Sequence, residues 1–146
     1  MIDPDDFAPE VRDGLVALAN EMARHGTDRD APVRAVMSGL GDRWTTLILL
    51  VLATGEWRHA DLRRALSRLS AEQTISQRVL TLKLRTLERD GFVLRTVSGD
   101  VPPKVSYRLS PLGAELHSEA RSLIDWINAR DGDIRAARAA YDAIEE

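Results

Sequence analysis

The chain contains no cysteine, only two lysines (Lys83 and Lys104) and few aromatic residues. Without cysteine there can be no disulfide, thiolate metal site or thiol redox switch within it. The longest apolar run, Leu47 to Ala53, is far too short to span a bilayer. The first residues, MIDPDDFAPE, are acidic and lack the basic and apolar regions of a signal peptide, so a cytoplasmic protein with no membrane partner is expected. The three histidines, His25, His59 and His117, fall on different predicted helices, none with a partner at metal-ligand spacing. No phosphate loop of the GxxxxGK kind and no nucleophile elbow occurs. Neither a metal, a cofactor nor an enzymatic activity is expected. There is also no internal repeat and no low-complexity tract.

At 146 residues the chain can bury one real core. Its overall charge of −3 is misleading, because the charge is unevenly spread. From Arg58 to Arg108 there are eleven basic and five acidic residues, against nine and eighteen elsewhere, so a segment at +6 is flanked by regions totalling −9. The basic segment contains the most informative stretch, Ser76 to Ser110. Ser76 can cap a helix, Ile75 can pack on Leu80 as a hydrophobic staple, and Gly91 can end that helix. At about 100° per residue, Leu80, Leu84 and Leu87 form one stripe while Arg78, Thr81, Leu82, Arg85 and Arg89 point the other way. Two β-rich runs follow, Phe92 to Val97 and Lys104 to Leu109, separated by SGDVPP; this is the pattern of a hairpin.

Before this stretch, Val11, Leu15, Leu18, Ala19 and Met22 recur at helical spacing between Asp5 and His25. Gly26 to Pro32 reads as a linker, and Val33 to Leu40 as a short helix ended by Gly39 and Gly41. Asp42 is placed to cap a core helix that Gly55 ends, since DRWTTLILLVLATG is apolar almost all round. Glu56 to Arg58 suit a short strand pairing with the hairpin. The helix His59 to Leu69 should turn Leu62, Leu66 and Leu69 inward and Arg63, Arg64 and Arg68 outward. Ser110 and Pro111 make a cap followed by proline at the first helical position. The helix beyond carries Leu112, Leu116, Ala120, Leu123, Ile124 and Ile127, Gly132 breaks it, and a last amphipathic piece starts at Asp133. The expected fold is therefore mainly α with a small β-hairpin wing: a winged helix-turn-helix with terminal dimerisation helices. Its parts are an N-terminal arm (1–31), a DNA-binding domain (32–110) and C-terminal dimerisation helices (111–146). Val11, Leu15, Leu18, Met22, Leu116, Leu123 and Ile127 are the expected homodimer contacts.

Three separated motifs, GDRWTTLILLVLATGEWRHADLRRAL, ISQRVLTLKLRTLERDGFVLRT and PPKVSYRLSPLG, followed by Trp126, together resemble the HxlR-type winged-helix transcriptional regulators. The likeness covers Pro32 to Trp126, about two thirds of the chain. It implies a homodimer on pseudo-palindromic double-stranded DNA, more often a repressor than an activator. It also implies that Ser76, Gln77, Arg78, Thr81 and Arg85 face DNA from the recognition helix, Arg95, Lys104 and Arg108 from the wing, with Arg43 and Trp44 opening the core helix. The chain departs from the family pattern in several places. Ala31 stands where many members have a cysteine, and Ser106 replaces a common acidic residue. Eight residues separate Leu66 from Ile75 where about two are usual, so the geometry of the turn Ser67 to Thr74 stays open. Leu82 occupies a position often polar; it either touches a thymine methyl or makes an ordinary partly buried contact.

The residues support the same reading independently. Arg78 and Gln77 can hydrogen-bond guanine and adenine edges, and Arg63, Arg64, Arg68, Lys104 and Arg108 can hold phosphates. Half-sites one or two helical turns apart are expected. Trp44, Trp57 and Trp126 either line a pocket for a small-molecule effector or are simply core. The rival reading is a winged-helix module that binds protein without reading DNA sequence.

Overall fold

The expected arrangement of helices around a hairpin is present in the computed structural model, which describes residues 3–70 and 74–145. The chain divides into two units, Met1–Asp42 and Arg43–Glu146.

In the first unit a 3₁₀ turn, Pro4–Asp6, precedes helix α1 (Pro9–His25). The helix expected from Asp5 therefore starts later. Proline at its first position disfavours helical geometry for the residue before it, and Ala8 is accordingly extended, with ψ at 141°. Asp3 caps the short turn instead, accepting from the Asp5 amide at 3.0 Å. Helix α2 (Pro32–Leu40) keeps Gly39 within it and closes on Gly41, whose amide donates to the Met37 carbonyl. On α1, Val11, Leu18 and Met22 are exposed and Leu15 half-buried.

The second unit is built around helix α3 (Thr45–Leu52), which packs on α4, α6 and the third strand. Trp44 occupies its cap position, and the helix ends well before Gly55. The hydroxyl of Thr54 donates to the Val51 carbonyl at 2.7 Å, a side-chain bond that competes with continuing the helix. Strand β1 (Trp57–Arg58) leads into helix α4 (His59–Leu69). Leu62 and Leu66 are fully buried, but Leu69, expected inside, is 62% exposed at the end of α4. Of the open turn Ser67 to Thr74, residues 71–73 lie outside the described residues.

Helix α5 (Gln77–Arg89) has the predicted ends. The Ser76 hydroxyl accepts from the Val79 amide at 3.1 Å. At the other end Gly91 takes φ +84°, the Phe92 amide reaches the Leu87 carbonyl and the Gly91 amide that of Glu88, the bond pair of a Schellman turn. Leu80, Leu84 and Leu87 are buried, as is Ile75. Strands β2 (Val93–Val97) and β3 (Val105–Leu109) pair in antiparallel register, and β1 adds to β3, giving the order β1-β3-β2.

Helix α6 (Pro111–Ala129) is joined tightly to the end of α5. The Ser110 hydroxyl accepts from the Gly113 amide at 2.9 Å and donates to the Gly91 carbonyl at 2.5 Å, while the Ser110 amide donates to Phe92 at 3.0 Å. The backbones come so close there that a Cβ on Gly113 would lie 1.9 Å from the Phe92 carbonyl oxygen. Helix α7 (Asp131–Glu145) begins one residue after Arg130, so the break precedes Gly132, which lies in the first turn of α7. The charges explain the position: Asp131 and Asp133 suit the positive end of α7, while Arg130 donates to the Trp126 carbonyl and lies 4.3 Å over its ring.

The centre of this unit's core is formed by Ile48, Leu49, Leu62, Leu66, Ile75, Leu80, Leu84 and Val93, all fully buried. Each such side chain contributes roughly 1.5 to 3 kcal/mol. On α6 only Ala120 of the apolar stripe is buried; Leu116 and Ile124 are half-buried, and Leu112, Leu123 and Ile127 are exposed. Among the described residues no single helix is long and apolar enough to cross a membrane.

Candidate nucleic-acid interface

Helix α5 presents its polar face beside the sheet. Packing the leucine stripe inward leaves Arg78, Leu82, Arg85 and Arg89 exposed on one side. Gln77 is exposed next to the Ser76 cap, and Thr81 is half-buried at the flank. Among the described residues, Arg78, Arg85 and Arg89 have no hydrogen-bond or ion-pair partner, which leaves their donors for a ligand.

Contacts from α4 fix the orientation of this face. Arg63 Nε donates to the Ile75 carbonyl at 2.9 Å, just ahead of the Ser76 cap, so this arginine fastens α4 to the start of α5. His59 Nε2 lies 3.0 Å from the Thr81 hydroxyl, which itself donates to the Gln77 carbonyl at 2.9 Å. The hydroxyl proton being used there, His59 must donate through Nε2–H. The His59 ring also lies 6.2 Å from that of Tyr107. Burial, and secondarily the Arg63 charge, hold its pKa below the ordinary histidine value of 6.5.

A stability consequence follows from that shift. The unfolded chain takes up the proton first, so His59 costs nothing at neutral pH and destabilises the fold as pH falls from about 6.5 through the lower folded value. Urea denaturation at pH 7.5 and 5.5 should show the parent losing more stability on acidification than His59→Gln. Equal losses would remove His59 as the cause.

The strand register divides the wing cations between two faces. Arg95 pairs with the buried Tyr107, whereas Arg108 pairs with Leu94 on the opposite side, since successive residues alternate. Arg95 thus shares a recess of about 300 Å³ with Thr81, Arg85, Glu88 and Tyr107. Arg108 shares its face with Ser106 and with Arg58, the register partner of Ser106. Arg58, Arg95 and Arg108 are all exposed and without a polar partner among the described residues. Arg58 was not singled out by the sequence, because only the register of a two-residue strand reveals its company.

The other predicted cations are more committed. Arg64 is ion-paired with Asp61, and Lys104 Nζ lies 4.0 Å from Asp100. Arg43 is exposed immediately before α3. Trp57 lines a recess beside α4. Trp44 is buried and Trp126 is 53% exposed. Among the described residues no group of three or more His, Asp or Glu side chains could hold a metal ion.

With this geometry established, comparison with known proteins gives a consistent result. Residues 39–133 match the model of the HxlR-like helix-turn-helix family. The uncharacterised HTH-type transcriptional regulator YtfH of Escherichia coli is 36% identical over 107 residues, 73% of this chain and 80% of the relative. The solved structure of YtfH from Salmonella typhimurium aligns with a TM-score of 0.62 at 35% identity, covering 77% of this chain and 95% of that one. The redox regulator HypR in its reduced form aligns with a TM-score of 0.60 at 31% identity, covering 72% of this chain and 98% of HypR.

Proposed function

The chain belongs to the HxlR-type helix-turn-helix family of DNA-binding transcriptional regulators, and from that membership we propose that it acts as a homodimeric repressor on pseudo-palindromic operators. The observation that carries the reading is the free cationic face of α5, capped at Ser76 and flanked by the partnerless Arg95 of the wing, with Arg58 and Arg108 partnerless on the other face of the sheet. Gln77 and Arg78 reach base edges from the first turn, the amides at the Ser76 cap hold a phosphate, and Arg58, Arg85, Arg95 and Arg108 supply further phosphate contacts. Arg63 contributes by orientation, and Arg43, Arg64 and Lys104 by weaker, sequence-independent attraction.

The dimer accounts for apolar surface that the protomer leaves exposed. Val11, Leu18 and Met22 on α1 and Leu123, Trp126 and Ile127 on α6 are all at least 42% exposed. Scattered apolar exposure is ordinary, but stripes on two helices favour burial against a second copy. The segments 1–31 and 111–146 then serve assembly, and 32–110 serves DNA. A regulator without cysteine cannot use a thiol switch. The recess of about 410 Å³ between the end of α3, β3 and α6, reached by Arg108 and His117, offers room for a small effector.

The test is selection of fragmented DNA on the purified protein, then anisotropy of the enriched site across a salt series. A two-fold motif should emerge, and with six or more phosphate contacts affinity should fall about a thousandfold between roughly 50 and 200 mM salt. No enriched motif, or affinity indifferent to salt, would point instead to a protein-binding module.

A further inference from the structure

Leu82 is out of place in a cationic surface. It is 49% exposed on α5, one turn beyond Arg78 and one turn before Arg85, with Arg89 a turn further on. None of the three arginines has a partner among the described residues, and the buried stripe of the helix lies on the opposite side. Leu82 is therefore no core contact. Resting on the reading of α5 as the DNA-facing helix, the geometry points to a thymine 5-methyl group as the ligand of Leu82, which makes this residue a determinant of sequence preference.

The chemistry of the surroundings selects this occupant. An apolar protein surface docking on Leu82 would have to strip water from three unpaired guanidinium groups, whereas a major groove supplies their acceptors and phosphates at the same time. Within that groove the thymine methyl is the one apolar group on a base edge. The neighbouring Thr81 does not compete as a polar reader. Its hydroxyl already donates to Gln77 and accepts from His59, leaving mainly its methyl group for contact. The spacing is also restrictive: four residues of helix rise about 6 Å, so the thymine lies within about two base pairs of the guanine that Arg78 contacts.

The experiment uses the full chain and its enriched operator, with each thymine replaced in turn by uracil, which removes only the methyl group. One replacement near the Arg78 contact should weaken parent binding roughly fourfold, the effect of uncovering one methyl-sized apolar group. Leu82→Ala, whose thermal unfolding should match the parent because the side chain is exposed, should bind the two operators equally. A parent that binds its operator yet ignores every uracil replacement overturns the inference alone. So does a Leu82→Ala variant that keeps the parent's ratio between thymine and uracil operators. A parent that enriches no sequence overturns the DNA-facing reading of α5 and takes the inference with it.

Discussion

Gly113→Ala should destabilise the protein by at least about 3 kcal/mol. The added Cβ would sit 1.9 Å from the Phe92 carbonyl oxygen and 2.9 Å from its carbon, distances no relaxed structure tolerates. Relief by a flexible side chain is unavailable, since both obstructing atoms are backbone. The Phe92 oxygen is also held by the Ser110 amide, so moving it breaks a bond that joins β2 to the start of α6. Urea denaturation followed by circular dichroism measures the loss. Gly14→Ala is the control: it lies mid-helix in α1 with nothing within 4 Å of the new carbon, and should be neutral or gain about 0.5 to 1 kcal/mol. If Gly113→Ala unfolded with the parent, the close approach of α6 to Phe92 would be wrong.

Arg78→Ala should weaken specific DNA binding by about 1 to 3 kcal/mol, roughly five- to 150-fold. The side chain is exposed, has no partner among the described residues and lies in the first turn of α5, so its removal should leave folding unchanged. Arg78→Lys should recover only part of the loss if the contact is a two-pronged one to guanine, because an ammonium cannot reproduce the guanidinium fork. Arg64→Ala should cost less, that side chain being already ion-paired with Asp61. Anisotropy on one operator at one salt concentration compares all three. Parent-like affinity in Arg78→Ala would show that the reading face has been misassigned.

These two residues differ in how visible they were from sequence. Arg78 follows from a cap and a leucine period, both local signals, and for the same reason Ser76, Gly91 and Ser110 mark their helix ends where the structure has them. The need for glycine at 113 is set by a backbone approach across 21 residues, which no window of sequence reports. The later start of α3, the exposure of Leu69 and the break at Arg130 likewise depend on what neighbouring turns and charges do. The wing strands were legible as alternating β-rich runs, but the faces of Arg95 and Arg108 required the pairing register. Arg63 looked like any exposed cation of α4, and its bond to Ile75 spans 12 residues. His59 reaches Thr81 across 22 residues. The residues of the exposed α5 face were thus visible, while most of what orients that face was not.

The fastenings of α5 also bear on how a signal could reach DNA. The helix is a beam about 20 Å long with a support at each end. At its start, α4 holds it through Arg63 and His59; at its finish, α6 holds it through the Ser110 junction. A shift of α6 with α4 stationary would tilt the beam about its start, so Gln77 and Arg78 would barely travel. The displacement would grow toward Arg89 and pass into β2, which begins four residues later. A displacement arriving along α6 would thus be delivered to the wing, leaving the first turn of α5 in place.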